Sequence, residues 1–235
     1  MKKLLIALLA VLLLSGCSKQ NEEISSQPEV IEEIGEIAGG WTINTSLPEM
    51  NDMVFDSARK KLLGVNYSPL FDLGSKVVNG KMHMYLVYAS VVSPDAKQEY
   101  KLVSVLEDNE THEGTIENIF DFNITDYVNE SGNTTPEGLM GGWQDVEQLP
   151  NMLSEQENEV FTKALEGLTG VGYTPVATLA TQVVAGTNYA FLALGKTVTA
   201  TPVTHLYVIN IYADLNGNAK LNNICGIDLS TYGAK

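Results

Sequence analysis

The stretch Gln182-Val183-Val184-Ala185-Gly186-Thr187-Asn188-Tyr189 reads as the end of one strand, a tight turn at Ala185-Gly186 and the start of the next strand. Glycine at the tip suits a backbone that needs a positive φ or a close approach to another surface. Two adjacent valines at such a tip are unusual. Whichever way the strand pleats, one of them points outward.

Working outward, the second half continues with strand patterns. Tyr173 to Val184 is rich in Thr and Val. Beyond the turn, Tyr189, Phe191 and Ala193 alternate with Ala190, Leu192 and Leu194. Leu206–Ala213 and Leu221–Leu229 form a last pair, turned at Leu215-Asn216-Gly217-Asn218, where Asn-Gly is a strong hairpin signal. Upstream, Ser154-x-x-Glu157 is a capping-box signature, and Val160, Phe161, Ala164, Leu165 and Leu168 make one helical face that Gly170 stops. Gly142 to Gln148 reads as a short first strand. The predicted order is strand, helix, then four strands. An α+β layer pair follows, one helix covering one antiparallel sheet of about five strands.

The first half repeats this plan. Gly39-Gly40-Trp41 returns as Gly141-Gly142-Trp143. Phe55, Ala58, Gly64-Val65-x-Tyr67-x-Pro69 and Val77-Val78-x-Gly80 all return 106 positions later, and Ile124-Thr125-Asp126-Tyr127 is answered by Leu229-Ser230-Thr231-Tyr232. Val54, Phe55, Ala58 and Leu62 form its helical face. The sequence therefore divides into a signal peptide (1–16), Cys17 with an acidic tether (17–37), a first copy (38–128), a linker rich in Asn, Gly, Thr and Pro (129–138) and a second copy (139–235).

The beginning of the chain has its own logic. Met1-Lys2-Lys3, an apolar run from Leu4 to Leu14, and Ser15-Gly16 precede Cys17. That is a signal peptide with a basic start and an apolar core too short for a comfortable membrane span. Leu14-Ser15-Gly16-Cys17 resembles the bacterial lipobox, cut before a cysteine whose sulfur carries lipid, which implies an extracytoplasmic, membrane-anchored protein. The net charge is −15; without Lys2 and Lys3, 29 acidic residues face 12 basic ones, for −17. This argues against a nucleic-acid partner and against adsorption to anionic lipid. Cys225, in an apolar last strand, reads as a core side chain.

No enzyme, cofactor or metal site is expected. His83, His112 and His205 fall on a strand, in a polar turn and before a strand, and none joins a Cys or Ser in a recognisable motif. The carboxylates and histidines lack metal-ligand spacing.

The eight-residue run with Gln182-x-Val184-x-Gly186, together with the preceding Gly-Gly, resembles the cystatins, inhibitors of papain-like cysteine proteases, in their stefin and plant versions. The resemblance implies two tandem cystatin-like domains and a wedge of three segments against the protease cleft. In the second copy these are Leu139-Met140-Gly141-Gly142, then Gln182-Val183-Val184-Ala185-Gly186, then Leu215-Asn216-Gly217. A possible second site holds Gly39 and Gly40 with Lys76-Val77-Val78-Asn79-Gly80, where Lys76 puts a strongly hydrated charge at the loop base. Where many extracellular cystatins carry Pro-Trp in the second hairpin, this chain has Asn216-Gly217. The expected function is reversible occlusion of a papain-like cysteine protease, chiefly by the second copy. The alternative is a non-inhibitory tandem binding or adhesion module of the cell envelope.

Overall fold

A computed structural model describes residues 40–47, 52–60, 62, 64–91, 98–128, 142–146 and 153–232. The first half runs β1 (Thr42–Ile43), α1 (Asp52–Arg59), β2 (Val65–Val78), β3 (Gly80–Val91), β4 (Gln98–Glu107) and β5 (Gly114–Asp121), then a 3-10 turn at Ile124–Asp126. The second runs β6 (Gln144–Asp145), α2 (Glu155–Ala164), β7 (Val171–Val184), β8 (Gly186–Thr197), β9 (Thr204–Ala213) and β10 (Ala219–Ile227), then a turn at Leu229–Thr231. Each half is an antiparallel sheet in simple sequence order, β1-β2-β3-β4-β5 and β10-β9-β8-β7-β6. The repeat extends to irregularities. β2 bulges between Pro69 and Phe71 and between Asp72 and Gly74, and β7 does so at the positions 106 later.

The expected α+β class, two separate helix-on-sheet domains, is not what forms. Strands dominate, and the two α-helices among the described residues span only 8 and 10 residues. Helices this short cover part of one face of sheets whose longest strands have 14 residues. The other faces cover each other. The largest buried cluster takes Leu70, Leu73, Met84, Leu86 and Leu102 from one sheet and Leu179, Ala190, Leu192, Leu206 and Val208 from the other. The molecule is mainly β, two five-stranded sheets packed face to face, with one short helix on each outer face.

The cause lies in the central strands. Along β8, Ala190, Phe191, Leu192 and Ala193 are all fully buried. Phe191 and Ala193 face α2, joining Val160 and Phe161, while Ala190 and Leu192 face the first sheet. β3 does the same, with Tyr85 and Val87 toward α1 and Met84 and Leu86 toward the second sheet. A strand apolar on both faces needs two covering layers.

Polar bonds cross the contact as well. Tyr100 Oη donates to the Leu179 carbonyl (2.7 Å), which also accepts from the Val146 N–H (2.9 Å), and Asn223 Nδ2 donates to the Tyr127 carbonyl (2.8 Å).

Local expectations meet mixed outcomes. The capping box forms, with Ser154 accepting from the Glu157 N–H and the Glu157 carboxylate accepting from the Ser154 N–H. Helix α2 ends at Ala164, and Gly167 already has φ +84°, so Leu168, assigned to the helical face, lies exposed beyond it. The first strand of the second half shrinks to Gln144–Asp145.

Candidate functional site: two hairpin edges

In the second half the turn is as tight as the sequence predicts. Val184 pairs with Gly186 across the single residue Ala185. Gly186 has φ +132°, and a Cβ there would collide with the Ala213 carbonyl and reach 2.9 Å from the Tyr212 ring. The glycine is needed because β9 passes directly beneath. Tyr212 Oη donates to the Ala185 carbonyl and props the turn from that side. Gln182 accepts from Asn188 Nδ2 at 2.8 Å, so its amide braces the hairpin across the strands. Val183 is the residue left outward, 68% exposed.

The register of β8 on β9, Thr187 opposite Ala213, sets the next hairpin beside this one. That loop is built on Asp214. One of its carboxylate oxygens accepts from the N–H groups of Asn216 (2.8 Å) and Asn218 (2.9 Å), and the other accepts from Asn218 Nδ2 (2.8 Å). These bonds, those from Asn218 foremost, hold the Asp214 carboxyl below its usual range. Gly217 takes φ +80°, and Leu215 projects from the loop, 85% exposed. The third segment arrives on the other side. Gln144 opposite Thr181 brings the exposed Gly142 toward the same hairpin end. Leu139, Met140 and Gly141 lie outside the described residues.

The first half repeats the construction. Gly80 has φ +122°, and a Cβ there would stand 2.6 Å from the Glu107 carbonyl, the counterpart of Ala213. Val77 (69% exposed), Val78 and Asn79 form the tip. Lys76, at the base of this loop, turns its charge toward Trp41. Its Nζ lies 4.9 Å from the centre of the Trp41 ring, a cation–π contact on the β1 side. Gly40 is exposed beside it, and Gly39 lies outside the described residues.

One arrangement escaped the sequence reading. Asp72 Oδ2 meets His83 Nδ1 at 2.8 Å, His83 Nε2 meets Glu107 Oε2 at 3.0 Å, and Glu107 Oε1 meets His112 Nδ1 at 2.8 Å. The four residues lie on β2, β3, the end of β4 and the loop after it. Only the strand register joins them, and no spacing in the sequence announces it.

At the other end of the chain, a profile of the prokaryotic membrane lipoprotein lipid attachment site matches residues 1–18, in which Cys17 is the one cysteine. The chain is a lipid-anchored bacterial lipoprotein. It is held outside the cytoplasm on a membrane through Cys17. Cys17 itself lies outside the described residues, and no described helix is long and apolar enough to cross a membrane. No curated protein sequence matches this lipoprotein.

Proposed function

We propose that this lipoprotein inhibits papain-like cysteine proteases by reversible occlusion of the active-site cleft, chiefly through the edge of its second half. One observation carries the reading. Three segments far apart in sequence, at Gly142, Val183 and Leu215, meet at one end of one sheet, and two of them present large apolar side chains to solvent there. Isolated exposed valines need no explanation, but an outward valine and leucine on adjacent, internally braced hairpins form a pre-organised apolar wedge. The resemblance of Gln182–Gly186 to an inhibitory loop names the partner class. It rests on the loop, and the layer architecture plays no part in it.

Each brace has a role in such a complex. Tyr212 and the Gln182–Asn188 bond fix the first hairpin before contact, and Asp214 fixes the second. Little conformational entropy is then lost on binding. The test is titration of papain and a cathepsin with the lipid-free chain, residues 18–235. Competitive, reversible loss of activity supports the reading. Full activity at tens of micromolar overturns it and leaves the envelope-binding module.

A further inference from the structure

We propose that Asp72, His83, Glu107 and His112 form a proton-operated clasp that ties the second hairpin of the first half to its sheet and opens when His83 loses its proton. The geometry leaves one protonation state for the closed form. His83 is 4% exposed, and both ring nitrogens face carboxylate oxygens, at 2.8 and 3.0 Å. Two ionised carboxylates only accept, so both nitrogens must donate and the ring must be an imidazolium. A neutral ring has one N–H. Whichever carboxylate it abandons then faces a lone pair inside the protein, where an unpaired charge is costly.

Glu107 is the partner that lets go. Asp72 is the more enclosed of the two and also accepts from the Gly74 N–H (3.3 Å). Glu107 ends β4, and its other oxygen holds His112, a non-glycine residue at φ +56° in the loop 108–113. When Glu107 turns away from His83, that loop loses its tie to the sheet interior. The far arm stays fixed, because the Gly114 N–H donates to Ser57 Oγ of α1 at 2.6 Å.

The surroundings bias the switch. Around His83 stand Asp72 on β2, Glu107 on β4, Lys81 on its own strand and the Tyr85 ring stacked at 5.7 Å. Burial and Lys81 favour the neutral ring. The two carboxylates outweigh them and raise its proton affinity above that of an ordinary histidine. Burial alone would raise Glu107, but its bonds to His112 and His83 hold it below the usual range. A raised histidine stabilises below its unfolded value and ceases to as the pH climbs through its folded one. A lowered carboxylate stabilises above its unfolded value and ceases to as the pH falls through its folded one. The clasp is closed between those two limits. The second half has Thr178, Tyr189 and Ala213 at the three corresponding strand positions, so its hairpin has no such device.

The experiment uses residues 18–235. Imidazole titration by NMR gives the His83 midpoint, and hydrogen exchange, corrected for intrinsic rates, gives protection of loops 108–113 and 214–218. His83 is expected to titrate above the ordinary value. Protection of 108–113 should fall by on the order of tenfold through that midpoint while 214–218 does not respond. Asp72→Asn removes one carboxylate, so that a neutral His83 can satisfy both neighbours. In that variant the loop should stay protected through the transition. A His83 midpoint at or below the ordinary value, a loop indifferent to it, or an unchanged response in Asp72→Asn overturns the proposal.

Discussion

The hydroxyl groups of Tyr127 and Tyr232 are 2.7 Å apart and share a hydrogen bond. These two residues occupy the same place in the two copies, each just after a 3-10 turn that ends its half. The two halves therefore meet here through equivalent residues of the repeat. Tyr127→Phe or Tyr232→Phe should each cost about 1 kcal/mol, and the double variant little more than either single one. Urea unfolding of the three variants gives the coupling.

An isolated second half is expected to associate. Residues 139–235 alone would expose the face bearing Leu179, Leu192, Leu206, Val208 and Ile227, all buried in the whole chain. The matching surface is another copy of the same face. Sedimentation or light scattering should report a dimer. A stable monomer with native-like exchange protection would show that the shared core is dispensable.

Gly186 is a poor probe of the tip despite its position. The φ of +132° and the Ala213 carbonyl behind it mean that Gly186→Val should lower stability by roughly 1–3 kcal/mol. Val183→Asp is the cleaner substitution. It should leave the melting temperature nearly unchanged and weaken papain inhibition by at least about tenfold. Inhibition constants and thermal melts of both variants separate the two effects.

Lys76 is expected to act on stability. Lys76→Gln should cost about 0.5–1 kcal/mol through the lost contact with Trp41. Its effect on any inhibition by the first edge should be small, because the charge is laid over the indole. A large gain in inhibition by a Val183→Asp, Lys76→Gln double variant would show that the lysine does obstruct the tip.

The anchor is tested in cells. Cys17→Ala should move the protein from the detergent phase to the aqueous phase on Triton X-114 partitioning, since residues 1–18 carry the attachment signal.

Much of the backbone was legible. Ser154 and Glu157 announced their helix because the capping box is local, and Asn216-Gly217 and Ala185-Gly186 announced their turns because positive φ selects few residues. The layer arrangement was written in Ala190-Phe191-Leu192-Ala193, whose two alternating faces are both apolar, yet a single helix was expected to cover such a sheet alone. The binding edges were half legible. Valines and glycines marked the hairpins, but the turning of Lys76 onto Trp41 and the bracing of Ala185 by Tyr212 depend on side-chain directions across strands. The chain from Asp72 to His112 was not legible at all, because its partners meet only through register.

The Leu179 carbonyl, which accepts both from Val146 and from Tyr100, bears on why the divergent half is kept. Val146 follows the short strand that carries Gly142 to the second edge, and Tyr100 belongs to the other copy. A duplicated half free to drift would ordinarily decay until it was deleted. Here deletion would leave a hydrophobic sheet face in water and remove a prop beside the second edge. Each half therefore supports the fold of the other, and the first is a structural part of the molecule whatever its own tip does.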